Sequence, residues 1–149
     1  MKHQGTQADI LIVEDSPTDV MLVREALDDS RFRDLNIHTV ENGVKAMAFL
    51  QREGVFASAP RPRLILLDLN MPAMNGHEVL AKIKADESLM RIPVVVFTTS
   101  GSEPDVMQAY GRHANCYVTK PMDFDDFSET VRAIATFWLT TATLPFDSN

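Results

Sequence analysis

Glu14, Asp15, Asp68, Thr98, Thr99 and Lys120 are the residues of this 149-residue chain whose types together suit phosphoryl chemistry. Asp68 closes the apolar run of "LILLDLNMPAMNG" (residues 64–76), and Pro72 and Gly76 shape the turn that follows. Carboxylates gathered at close range repel one another unless a cation sits among them. A hard divalent ion such as Mg²⁺ suits such a cluster, because it takes oxygen ligands, keeps several waters and is often held by one or two carboxylates plus a phosphate. Asp68 is then a possible nucleophile, since an aspartate can accept a phosphoryl group as an acyl phosphate. The remaining demands of the transfer are positioning and charge neutralisation. Lys120 would supply a point charge and the Thr98 hydroxyl a hydrogen bond. Each residue alone has a plainer use: Asp68 capping a turn, Lys120 solvated, Thr98 filling a strand, Glu14 and Asp15 capping a helix. Their positions relative to one another decide between these readings.

Five β-type runs set those positions: "ILIV" at 10–13, "IHTV" at 37–40, "LILL" at 64–67, "VVVFT" at 94–98 and "CYVT" at 116–119. The run before Asp68 is apolar without alternation, as expected of a strand covered on both faces. Helical patterns separate the runs. Ser16 and Pro17 open the first as N-cap and first residue, with Val20, Val23 and Leu27 inward. Gly43 precedes the second, which places Val44, Met47 and Ala48 on one face; the third covers 75–85 with Val79, Leu80 and Ile83 as its stripe. A short fourth at 103–111 carries Val106 and Tyr110, and a fifth runs from near Asp123 to about Leu139. Strict βα alternation implies a parallel sheet with right-handed crossovers. In such sheets ligands sit at the carboxyl ends of the strands. Glu14 and Asp15 follow the first strand, Asp68 the third, Thr98 and Thr99 the fourth and Lys120 the fifth, so all converge on one edge.

The bulk properties narrow the function. A hydrophobic fraction of 45% over 149 residues supports one domain with its own core. No apolar run approaches the roughly 20 residues of a membrane span, and "MKHQGTQADI" lacks a signal-peptide core, so a cytoplasmic protein is expected. Cys116 is the single cysteine and reads as a small apolar filler. A formal charge of −7 without a Lys/Arg run argues against nucleic acid and for a protein partner.

"LIVEDSP", "LILLDLNMPAMNG", "PVVVFTTS" and "YVTKP" occur in an order and spacing that resembles the receiver domain of two-component response regulators, over about residues 9–139. The resemblance implies a flavodoxin-like (βα)₅ fold, a five-stranded parallel sheet in the order 2-1-3-4-5 with helices on both faces, in a single domain over 1–149 without an output domain. It implies that Asp68 is the phosphoacceptor and that Asp15 and Asp68 bind Mg²⁺ directly, with Glu14 acting largely through water and the Asn70 carbonyl completing the set. Lys120 and Thr98 would bind the phosphoryl group. Lys120–Pro121 would be a cis peptide, and Tyr117 would be the aromatic switch. A Thr98 hydroxyl drawn toward the phosphoryl group vacates space for the Tyr117 ring and biases the surface of the fourth helix, fifth strand and fifth helix. Asn70 and Ser100 flank the site and would tune attack by water. His3, His38, His77 and His113 are scattered, so the phosphodonor histidine is expected on a separate histidine kinase. "FWLTTATLPF", "SAPRPRLILLDLNMP" and "RIPVVVFTTS" are similar to the single-domain regulators of bacterial phytochromes, which implies a phytochrome as that kinase.

Other functions fit less well. A receiver-fold scaffold that takes no phosphate would not need Glu14, Asp15, Asp68, Thr98 and Lys120 together. A dehalogenase-like phosphatase needs an aspartate two residues after its nucleophile, where this chain has Asn70. A flavodoxin-like FMN carrier would place phosphate where "EDSP" puts two anions.

The C-terminal stretch predicts an interface. Phe127, Val131, Ile134 and Trp138 form one helical stripe, and Phe137 lies about 100° around the helix from Trp138. Phe137 with Ala133 begins a second apolar stripe, extended by Leu139, Leu144 and Phe146. Exposed apolar surface of this kind marks interfaces, and two-fold pairing is the commonest closed solution, so a homodimer is expected. The alternative is a tail that folds back over Phe137 within the chain.

Overall fold

The computed structural model describes residues 7–145. Its strands are β1 (Ala8–Val13), β2 (Leu35–Val40), β3 (Leu64–Leu67), β4 (Val94–Thr98) and β5 (Cys116–Thr119). They form one parallel sheet in the order β2-β1-β3-β4-β5. Between and after them lie α1 (Pro17–Ala26), α2 (Gly43–Gln51), α3 (Gly76–Ala85), α4 (Glu103–Gly111) and α5 (Phe124–Thr136). Order and element boundaries match the sequence expectation closely. Two short 3₁₀ turns, Ser30–Phe32 and Gly54–Phe56, lie in connections that carried no periodic signal.

Every α-helix starts on a side-chain cap: Ser16, Asn42, Asn75, Ser102 and Asp123 each accept from a backbone N–H in the first turn. Such caps contribute about 0.5–2 kcal/mol each. At α3 the cap is reciprocal, because Glu78 reaches back to the Asn75 N–H. Successive strand residues then feed two cores. Leu11, Val13, Ile65, Leu67, Val94 and Val96 pack against α2 and α3, while Ile10, Ile12, Leu64, Leu66, Val95 and Phe97 pack against α1 and α5. This double burial is why the strands read as unbroken apolar runs. On α2 the buried face is Gly43, Ala46, Met47, Phe49 and Leu50; Val44, expected inward, is 55% exposed. Asn42 occupies the cap and Gly43 is the first helical residue; of the expected face only Met47 is buried, Ala48 being half-buried, and the inward face is centred on Ala46, Met47 and Leu50.

The end of α5 departs from a regular helix. Phe137–Thr141 form a π turn, with the Ala142 N–H donating to the Phe137 carbonyl at 2.7 Å. Leu139 continues the Phe127, Val131, Ala135 row into the core, and Leu144 is likewise buried. Both were expected to add exposed surface, and that expectation is corrected: the chain covers them itself. Trp138 is half-buried, whereas Phe137 is 51% exposed and stands edge-on to the Trp138 ring at 5.2 Å. Ala133 is exposed beside it. Phe146 and His3 lie outside the described residues.

Candidate functional site

Backbone bonds extend the ladder one residue past the strands and thereby fix the reactive positions. The Glu14 N–H donates to the Val40 carbonyl at 3.0 Å, the Asp68 N–H to the Val13 carbonyl at 3.0 Å, and the Lys120 N–H to the Thr98 carbonyl at 2.7 Å. The side chains therefore emerge together at the carboxyl edge of the sheet. Glu14, Asp15 and Asp68 bring one oxygen each within 4.8 Å of one another. Glu14, Asp68, Thr98 and Lys120 are buried, and Asp15 is exposed.

Lys120 is the hub of this cluster. Its Nζ donates to Glu14 Oε1 and Asp19 Oδ2, both at 2.6 Å, and to Asp68 Oδ2 at 3.4 Å. Burial alone would lower the ammonium's pKa, but the bonds to Asp19 and Glu14 outweigh it and raise it. Burial pushes Glu14 up to about 7; the Lys120 hydrogen bond pulls it down and the Asp68 charge adds to the rise. Glu14 stays this high even with the Lys120 ammonium 2.6 Å away, so this one cation does not offset the burial of the acidic groups. The three-oxygen acidic set therefore fits a divalent cation of the hard, oxygen-seeking class. Asp19 is a site residue that the strand-end argument missed. It lies in the first turn of α1, three residues after the Ser16 cap, and that place just past the end of β1 was its signal.

The loop after Asp68 is built for close approach. The Asn70 N–H donates to Asp68 Oδ1 at 3.3 Å. A Cβ on Gly76 would lie 2.3 Å from the Asp68 carbonyl oxygen, so only glycine lets α3 start against the carboxylate's backbone. A Cβ on Gly43 would lie 2.4 Å from the Met74 carbonyl, which confines the same loop from the other side. Between them Ala73 is held at φ 67°, a left-handed conformation that costs a residue with a Cβ about 1 kcal/mol.

On the β4 side, Thr98 Oγ1 accepts from the Ser100 N–H at 3.4 Å. The Tyr117 hydroxyl donates to the Ser100 carbonyl at 2.8 Å, and the Tyr117 N–H donates to the Tyr110 hydroxyl at 3.1 Å. Thr98, Ser100 and Tyr117 are thus joined through one residue. Lys120–Pro121 differs from expectation: no described peptide bond is cis. Trans is intrinsically the favoured X-Pro isomer, and Lys120 already reaches the carboxylates from it.

This arrangement has parallels. The family described as the response regulator receiver domain matches residues 10–132. Response regulator Rcp1 of Synechocystis sp. is 51% identical over 136 residues, covering 91% of this chain and 92% of Rcp1. The probable methanogenesis regulatory protein FilR2 of Methanothrix harundinacea is 43% identical over 131 residues, 87% of this chain and 83% of FilR2. Among solved structures, the phosphorylated cyanobacterial phytochrome response regulator RcpA superposes with a TM-score of 0.90 at 48% identity, covering 94% of this chain and 99% of RcpA. The Mn²⁺-bound form of Rcp1 gives 0.87 at 50% identity, over 93% of this chain and 99% of Rcp1. Divalent-metal binding, read above from the acidic strand ends, is thus seen in a relative of the same fold. By sheet order, by the chemistry of its strand ends and by a match along most of its length, the chain belongs to the response regulator receiver family of signalling proteins.

Proposed function

We propose that this chain is a phosphorelay response regulator, working as a single receiver unit, that accepts a phosphoryl group on Asp68 from a phosphohistidine of a histidine kinase. The observation that carries this reading is the buried Lys120 ammonium shared among Glu14, Asp19 and Asp68. A carboxylate nucleophile stands there beside a cation able to follow the transferred charge. Glu14, Asp15, Asp68 and the Asn70 carbonyl would hold Mg²⁺. When bound, the ion supplies charge neutralisation for the incoming phosphoryl oxygens. An Asp68 carboxylate oxygen forms the new bond to phosphorus as the bond from phosphorus to the donor imidazole breaks. Lys120 leaves part of its hold on Asp19 and Glu14 to meet the added charge, and the Thr98 hydroxyl turns from Ser100 to donate to a phosphoryl oxygen. Tyr117, which shares Ser100 with Thr98, follows as the switch. The readout is then a changed surface of α4, β5 and α5 for a downstream protein.

The likeness to Rcp1 and RcpA supports a phytochrome as the kinase and a cytoplasmic setting. No described helix is long and apolar enough to cross a membrane. Phe137, exposed beside Ala133, supports a homodimer through α5; Leu139 and Leu144, being buried, take no part. Light scattering tests it: a dimeric wild type and a monomeric Phe137→Glu are expected, and a monomeric wild type removes the interface.

Acetyl phosphate with Mg²⁺, followed by intact mass, tests the phosphoacceptor. One phosphoryl adduct is expected, absent without Mg²⁺ and absent in Asp68→Asn. An adduct of equal yield in Asp68→Asn contradicts the assignment. Lys120→Ala should keep metal binding while uncoupling the adduct from any change at Tyr117, read by tyrosine fluorescence.

A further inference from the structure

Helix α4 buries only Ala109, so apolar packing does little to hold it on the molecule. Polar contacts do that instead: the Tyr110 hydroxyl accepts from the Tyr117 N–H of β5, and a larger set centres on His77 of α3. His77 is 8% exposed, and its Nε2 donates to Asp105 Oδ1 in the first turn of α4 at 3.0 Å. Its carbonyl accepts from Arg112 Nη1, at the other end of α4, at 2.9 Å. Among the described residues the buried His77 Nδ1 has no hydrogen-bond partner, so the ring's polar anchor is Asp105. The second Asp105 oxygen accepts from Ser100 Oγ at 2.6 Å and from Ser102 Oγ at 3.1 Å. Ser100 is the residue bonded to both Thr98 and Tyr117.

We propose that His77 and Asp105 form a latch that holds the β4–α4 connection in its resting arrangement and so sets how readily the Asp68 site is engaged. The inference rests on the phosphoacceptor reading above. A Thr98 hydroxyl that turns toward a group on Asp68 gives up its bond from the Ser100 N–H. Ser100 cannot follow Thr98 or release Tyr117 without loosening its own hydroxyl from Asp105. Asp105 is in turn fixed by His77. Hydrogen bonds to a carboxylate are among the stronger ones in proteins. A ligand that needs the unlatched arrangement has its affinity reduced by the fraction of molecules that occupy it. Removing the latch therefore tightens that ligand.

Beryllofluoride, a stable phosphoryl mimic, provides the test, titrated calorimetrically into the full chain with saturating Mg²⁺. His77→Leu is expected to bind it about tenfold more tightly than wild type. His77→Gln, which keeps a donor, should return to near the wild-type value. Asp105→Ala, in a partly exposed first turn, breaks the latch without disturbing the core and should tighten binding as His77→Leu does. The double variant should gain no more than either single one. Melting temperatures measured alongside separate a purely structural role, which lowers stability and leaves affinity unchanged. Unchanged or weaker binding in both His77→Leu and Asp105→Ala overturns the latch. A wild type that binds no beryllofluoride overturns the Asp68 reading itself, and the latch falls with it.

Discussion

Helices α3 and α4 flank the same carboxylate site but are held in opposite ways. Helix α3 starts with a reciprocal cap and buries Gly76, His77, Val79, Leu80 and Ile83. Helix α4 buries Ala109 alone, leaves Met107 68% and Tyr110 48% exposed, and depends on Asp105 and Arg112 for its attachment to His77. The difference assigns the two helices different work. One fixes the backbone of Asp68, and the other is the helix that the proposed latch would let shift in response to Asp68. Regions held by few buried apolar contacts are those that open or shift at low cost.

Core truncation is the largest way to break this contrast. Leu80→Ala should cost about 2–5 kcal/mol in urea unfolding, whereas Met107→Ala on α4 should change stability by no more than about 0.5 kcal/mol. Equal costs would mean that α4 is as firmly packed as α3. Glycine substitutions sharpen the same point. Gly76→Ala drives a Cβ into the Asp68 carbonyl, so a loss of about 1–3 kcal/mol and slower adduct formation with acetyl phosphate are expected. An alanine Cβ at Gly111, the last residue of α4, meets nothing within 4 Å, and Gly111→Ala should be neutral or stabilising by up to about 1 kcal/mol.

The pH dependence concerns the site between the two helices. Glu14 is raised from 4.5 to about 7 by burial, so the folded, metal-free chain binds a proton that the unfolded chain releases. Its stabilising contribution is full below pH 4.5 and is lost as pH rises through about 7. Metal competes with that proton, so Mg²⁺ affinity should climb over the same window. Asp68→Asn removes one of the charges that raise Glu14 and should shift the climb to lower pH. A flat affinity between pH 6 and 8, measured by calorimetry, would contradict the role of Glu14. The smallest effect is at Ala73, where glycine relieves the left-handed strain and should stabilise by about 0.5 kcal/mol in thermal melts.

The sheet and its reactive edge were legible because both rest on strong, local signals. Unbroken β-branched and leucine runs mark strands buried on both faces, and chemistry at the end of a parallel strand has one direction to point. Asp19 escaped that logic because a helix, not a strand, delivers it. The latch was not legible either: His77 and Asp105 are 28 residues apart and meet only once α3 and α4 are packed. Phe137 was placed correctly from helical phase alone. Leu139 and Leu144 were not, because a π turn and a returning tail lie beyond simple periodicity.

Amide hydrogen exchange, compared between the resting chain and the chain with Mg²⁺ and beryllofluoride, tests the link from Asp68 to α4 most directly. Exchange should change across residues 98–111 and 116–119, in the β4–α4 connection, α4 and β5, while Val79, Leu80 and Ile83 of α3 stay as protected as before. An equal change in both helices, or none in α4, would contradict it.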